Sequence, residues 1–282
     1  MTGLLASTRA ELLRLRRWPA VWVLLGVWTA LDLAFVYVFN YVAYRSGDTS
    51  GVADGVPRAQ LLADLMPGAV PAAAVQGTPL FGGAILMILG ALAVGSGFGW
   101  GTWKTVLTQG PGRGTAFAGT LVVLALTVVA LVATTFAVDL GVSSAIAVAE
   151  SQPVDLPSVG ALLQGAAAGM LVLGMWCAAG VLIGVLTRSP ALAVGLGGVW
   201  ALVVENLLRG VAALISGLAV VTDHLPGSAA GSLVGSLGGD AARSTPGVQT
   251  ILAGGPATAF LVGYLVLFAA VGFLLVRRRD VP

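Results

Sequence analysis

Charge is scarce in this chain. Asp, Glu, Lys and Arg together make up 9% of its 282 residues, where a soluble domain carries about 25%. Cysteine is nearly absent: the single Cys177 lies in an apolar run, which excludes an intrachain disulfide and a cysteine metal site. Histidine is limited to His224, which reads as a surface residue and leaves no zinc constellation. No Gly-x-Ser-x-Gly and no Gly-x-x-x-x-Gly-Lys-Ser/Thr run occurs, so the chain lacks a hydrolase nucleophile elbow and the usual phosphate loop for ATP. The net charge of +2 leaves no nucleic-acid footprint, because the basic residues sit beside apolar runs.

What the chain has is apolar length. It is 57% hydrophobic with a mean hydropathy of +0.97, and several runs exceed the roughly 18 residues that cross a hydrocarbon core. The pattern predicts an all-α integral membrane protein, one domain over 1–282, with spans at about 18–42, 79–99, 117–140, 162–186, 190–208 and 251–276. Residues 1–17 precede the first span as an interfacial helix. At 100° per residue Leu4, Leu5, Leu12 and Leu15 fall on one arc, Arg14 and Arg17 lie away from it, and Arg9 and Arg16 flank it; Leu13 is off the stripe. A signal peptide is excluded because the run from Trp18 to Val42 is too long for an h-region.

Basic residues set the orientation. With both termini inside, Arg9, Arg14, Arg16, Arg17, Lys104, Arg113, Arg188, Arg277, Arg278 and Arg279 are inside, ten of the fourteen; Arg45, Arg58, Arg209 and Arg243 are outside. That is a multi-pass protein of a bacterial plasma membrane with cytoplasmic ends, and the Ala, Gly, Val and Leu bias fits a GC-rich genome. No internal repeat is visible.

Local signals refine the outline. Ser189-Pro190 reads as an N-cap followed by the first helical position of the fifth span. Ala59–Met66 reads as a short surface helix. Gly165-x-x-x-Gly169 and Gly180-x-x-x-Gly184, with the many glycines of the second span, predict close backbone packing. Trp103–Gln109 reads as two helical turns closed by Gly110-Pro111-Gly112, with Trp103 and Leu107 on one face and Lys104 beside them. The run Val211–Val221 is too short to cross a membrane and is expected to dip into the outer leaflet or lie along it before Pro226-Gly227 turns the chain back.

Acids at membrane depth are candidates for function. A lone one costs about 2.5–3.5 kcal/mol to insert, so Asp32, roughly 20 Å along a helix from Trp18, is expected to face protein or water. Glu205 and Arg209, four apart and acid first, fit a helical ion pair that latches the fifth span to the outer segment. Asp139 reads as an interfacial residue marking the end of the third span.

Three stretches resemble the permease subunits of bacterial type-2 ABC exporters. They are ASTRAELLRLRRWPAVWVLL at the start; GTWKTVLTQGPGR, similar to the family's Gly-Thr-[Trp/Phe]-[Lys/Arg]-x-x-Leu-[Thr/Ser]-x-Gly-x-x-Arg loop; and TRSPALAVGLGGVWALVVENLL with the later LPGSAAGSL. One departure is that Phe98, Gly99 and Trp100 stand where many relatives carry an acid before the Gly-Thr pair. The resemblance implies a half-transporter that pairs with a second permease copy, a homodimer or else a heterodimer, and joins a separate ABC ATP-binding subunit that holds ATP and Mg. The 103–110 helix would be the coupling helix, with Trp103, Lys104, Leu107, Thr108 and Arg113 as ATPase contacts. Asp32, Glu205, Asn206 and Arg209 would lie on the substrate path or outer gate, for a lipid, drug or antibiotic-like amphipathic cargo. No catalytic residue, metal or cofactor is expected in this chain. An ion-coupled secondary transporter and a non-transporting membrane scaffold are the alternatives.

Overall fold

Two glycine-rich helices, the second and fourth spans, lie at the centre, and the rest of the chain wraps around them. The computed structural model describes residues 2–47, 56–108, 112–212, 215–238 and 245–278. Among these no strand occurs. The helices are α1 (Thr2–Arg17), α2 (Pro19–Ser46), α3 (Arg58–Asp64), α4 (Thr78–Gly99), α5 (Thr102–Thr108), α6 (Arg113–Ala149), α7 (Val159–Thr187), α8 (Pro190–Ala212), α9 (Ser216–Thr222), α10 (Pro226–Gly238) and α11 (Gly254–Arg278), with short helical turns at Pro67–Ala69 and Val70–Ala73 between α3 and α4. Six of them, α2, α4, α6, α7, α8 and α11, are long and apolar enough to cross a membrane.

Burial separates core from periphery: the most apolar window of α4 is 78% buried and that of α7 is 67%, against 22%, 22% and 17% for α2, α8 and α11. The α4–α7 seam is close because glycines face backbone. A β-carbon on Gly180 would overlap the Met87 carbonyl oxygen, and one on Gly90 would overlap that of Cys177. Of the expected Gly-x-x-x-Gly motifs, the Gly180–Gly184 one does this packing, with Gly184 against Ala91, while Gly165 meets the Pro71 carbonyl ahead of α4.

The caps explain two sharp turns. Ser158 accepts a hydrogen bond from the Ala161 amide and starts α7, which ends at Arg188 in the left-handed conformation (φ 52°). One residue later Ser189 accepts from the Leu192 amide, with Pro190 at the first helical position of α8, as expected.

Several outlines change. The third span continues well past Leu140 to Ala149, so Asp139 lies inside α6 and is fully buried. The surface helix expected at 59–66 is α3, with Leu61 facing in. Pro226 and Gly227 open α10, whose first ten residues are all buried against α4, α7 and α11. Within the expected outer dip, α8 runs on to Ala212 and α9 follows, while residues 213–214 lie outside the described residues. On α1 the leucine arc is divided: Leu15 enters the protein core, whereas Leu4, Leu5, Leu12 and Leu13 are exposed. The side of α1 toward the bundle is built from small residues, with Ser7 and Thr8 against Gly119 and Gly3 against Thr115.

Candidate functional site

One end of the bundle gathers nine of the twelve basic residues among those described. Alternation of the spans brings α1, α5, the α7–α8 turn and the end of α11 to this end, and contacts tie them together. Arg14 donates to the Ala93 carbonyl at 2.8 Å, Arg188 lies 6.0 Å over the Phe98 ring, and Gly114 meets Phe273 and Arg277. Arg9, Arg14, Arg16, Arg17, Lys104, Arg113, Arg188, Arg277 and Arg278 share this face. Glu11 is its one acid among the described residues, paired with Arg14 at 2.7 Å.

The short helix α5 crosses this face. On it Trp103 is buried: its indole Nε1 is 3.4 Å from the Val94 carbonyl, and its ring lies 5.8 Å from Phe98 and 6.2 Å from Phe117. Gly97 makes room for that indole, since a β-carbon there would stand 2.5 Å from Nε1. Trp103 is therefore the pin that fixes α5 to the bundle, and Leu107 is half-buried on the same side. Lys104, Thr105 and Thr108 face outward, while Arg113 opens α6. Gln109, Gly110 and Pro111 lie outside the described residues. Beside α5 a cleft of about 440 Å³ runs between α1, α4 and α6, lined by Ser7, Glu11, Arg14, Thr102, Trp103 and Val106 among others.

At the opposite end Glu205 is 1% exposed, yet its partner is not the expected one. Its Oε1 accepts a hydrogen bond from the Gly227 amide at 3.2 Å, in the first turn of α10. Arg209 instead donates to Asn206 Oδ1 at 2.6 Å, and the amide of Asn206 donates to the Leu202 carbonyl, one turn back. The Glu205–Arg209 pair is not formed: Glu205 points inward under α10 and is held by the Gly227 amide, while Arg209 is held by Asn206. His224 is half-buried, its ring 4.7 Å from that of Phe260.

The third grouping is the seam between α2 and α6. Asp32 does face protein, and what it faces is Asp139, the acid that hydropathy put at a membrane boundary. One turn from the pair, Trp28 Nε1 donates to Thr135 Oγ1 at 2.9 Å; on the other side the Tyr37 hydroxyl donates to the Asp139 carbonyl oxygen at 3.4 Å. Where the seam opens, Glu150 accepts from the Tyr41 hydroxyl at 2.7 Å, the Tyr44 hydroxyl at 3.4 Å and Arg45 at 3.1 Å. The Tyr41 hydroxyl, then Arg45 and Tyr44, hold the Glu150 carboxyl below its ordinary value of 4.5. A carboxyl lowered by folding contributes stability that is present above the unfolded value and lost as pH falls through the folded one. Tyr41→Phe is accordingly expected to lower the thermal midpoint at neutral pH, with the gap from the parent closing below about pH 4.5. A gap that stays constant through the acid range would contradict this assignment.

The outward sides of α2 and α8 carry continuous apolar surface, including Trp22, Val27 and Val38 on α2 and Leu192, Leu196 and Val203 on α8. Both helices flank α4. No protein family matches this sequence, and comparison with curated proteins finds no match.

Proposed function

We propose that this chain is the membrane subunit of an ATP-driven exporter of the type-2 ABC class. In this reading the basic face is cytoplasmic, as the positive-inside rule requires, and both ends of the chain lie there in a bacterial plasma membrane. The observation that carries it is α5: a short helix fixed to the bundle through Trp103 and presenting Lys104, Thr105 and Thr108 on a nearly acid-free surface. A helix so anchored passes a push on its outer side into α4 and α6. The resemblance of residues 101–113 to the coupling loop of these permeases supports the same role. ATP and Mg belong to a partner ABC subunit, since this chain has no phosphate loop of its own.

The apolar outer sides of α2 and α8, on either side of α4, support pairing with a second permease copy and a substrate path between the two. Their lining fits an amphipathic lipid, drug or antibiotic-like cargo. Orientation of α9 and α10 as a membrane-dipping outer segment belongs to this reading as well.

The test is purification from native membranes followed by reconstitution. A subunit with a phosphate loop is expected to copurify, and the complex to hydrolyse ATP. Lys104→Glu with Thr108→Glu is expected to weaken the association on the order of tenfold, as a charge reversal at an interface rim does, while leaving the isolated chain's stability within about 0.5 kcal/mol. A chain that transports cargo without ATP would overturn the reading. The buried Asp32–Asp139 pair specifically favours a second one, an ion-coupled carrier, for which collapse of the proton gradient and not removal of ATP stops transport.

A further inference from the structure

Residues 28, 32, 37 and 41 of α2 and residues 135, 139, 143 and 147 of α6 follow one another along the seam between these helices. On α6 the steps are regular, each one turn. On α2 the step from Asp32 to Tyr37 is five residues, which would rotate Tyr37 away from Asp32 in an ordinary α-helix. The π-helical stretch Leu33–Val38 absorbs the extra residue and returns Tyr37 to the seam, buried and hydrogen-bonded to α6. π-bulges recur at functional sites, where they re-aim a side chain at some cost in helix geometry.

The acids this register brings together are almost completely enclosed. Asp32 is 5% exposed and Asp139 is 0% exposed. Among the described residues no donor reaches Asp32 Oδ1 or either carboxylate oxygen of Asp139. The group within hydrogen-bonding reach of each acid is the other acid, a contact that becomes a hydrogen bond only when one of them holds a proton. Tyr37 is the further titratable side chain on which both acids act. The segments packed against α6 here add no acid or base: residues 67–73 have none, and in α7 the sole titratable side chain, Cys177, lies in an apolar cavity beside Leu124 and Val128. Two carboxylates enclosed without a cation repel each other, and a proton shared between them relieves that repulsion. A void next to the pair's turn, beside Trp28, Thr135 and Phe136, is about 10 Å³, at the lower bound for a single water and too small for a hydrated metal ion.

We propose that Asp32 and Asp139 form a proton-binding site within the membrane bundle, holding one proton between their carboxyl groups and exchanging it, past Tyr37, with the end of the seam marked by Glu150. Binding takes the site from two negative charges to one. The O–H bond formed is to a carboxylate oxygen, the donor is hydronium from the aqueous face, and the donor leaves as water. Ser143, fully buried one turn beyond Asp139, continues the polar seam between the acids and Glu150. The site is a property of this chain alone and stands under either reading of its function.

The test uses the full chain in lipid nanodiscs. Infrared difference spectra between mildly acidic and alkaline buffer should contain the C=O band of a buried carboxylic acid, shifted in D2O. The band should be missing in Asp32→Asn and in Asp139→Asn. A dye-monitored titration should find one proton fewer exchanged per chain in the double Asn variant. Asparagine has the shape of the protonated acid, so the thermal midpoint should stay near the parent's. A band insensitive to both substitutions, or equal proton counts in parent and double variant, would overturn the site. Tyr37→Phe keeps both acids and tests the route without removing the site: after a pH jump its proton exchange should be several-fold slower, and a parental rate would overturn that path.

Discussion

Replacing Gly180 by alanine is expected to force α4 and α7 apart and lower the stability of the bundle by about 1–3 kcal/mol, the cost of overpacking a close interface. The reason lies in what the new methyl would meet. Its nearest neighbours are the carbonyl oxygen, carbonyl carbon and α-carbon of Met87. Backbone atoms cannot rotate aside as the end of a side chain can, so relief requires moving a helix that is 78% buried over its most apolar window. Gly90 stands in the same position from the other side, facing the Cys177 carbonyl, and Gly90→Ala is expected to cost a similar amount. Because both substitutions widen one seam, their effects are expected to fall short of additivity. Gly174→Ala on the same helix is the control: nothing lies within 4 Å of its added carbon, and a change within about 0.5 kcal/mol is expected. Thermal midpoints followed by size-exclusion chromatography in detergent separate these cases. Equal midpoints for Gly180→Ala and Gly174→Ala would refute the account.

The parts of this fold that hydropathy could see are those where lipid or a neighbouring helix asks for the same thing along a whole segment. The six spans, the glycine seam and the Ser189-Pro190 start of α8 all have such signals. α10 has none. Its sequence, PGSAAGSLVGSLG, is small and weakly polar, which reads as a loop. It is a helix because Gly231 and Gly235 let the 247–249 backbone come against it, with the Gln249 amide donating to the Gly231 carbonyl and the Leu252 amide to Ser232 Oγ. Tertiary packing decides there, and propensity does not.

Site residues divide in the same way. That Asp32 must face protein or water followed from its cost in hydrocarbon, but its partner did not, because charge alone made Asp139 look like a boundary. The π-turn hid the alignment further, since Asp32 and Tyr37 do not share a face at ordinary helical spacing. Trp103 was visible as a contact residue of the basic loop. Which way it points depends on the gap at Gly97, a contact between positions whose relation only the fold reveals.

Gly227→Ala should be among the most damaging single substitutions at the end opposite the basic face, and Glu205 is the reason. The Gly227 amide donates to Glu205 Oε1 in the first turn of α10, where helix amides lack internal partners and favour a carboxylate. The same approach puts Glu205 Oε2 where a β-carbon on Gly227 would sit. An alanine there must expel the carboxylate, breaking the bond and leaving a 1%-exposed acid without its donor, a loss of about 1–3 kcal/mol. Glu205→Gln keeps the shape and an acceptor, so α10 should stay docked, with a smaller loss from the weaker hydrogen bond. Glu205→Ala removes both the bond and the obstruction. The decisive comparison is therefore the double variant Glu205→Ala, Gly227→Ala, which should be more stable than the sum of its parents' losses by about 0.5–3 kcal/mol. In the exporter reading α10 is held to α8 by this contact until the two permease copies part, so Glu205→Gln in reconstituted complexes should alter transport or leak with assembly unchanged. A thermal cycle that is additive would show that the carboxylate and Gly227 do not act on each other, and the contact would then have no part in holding the fifth span to α10.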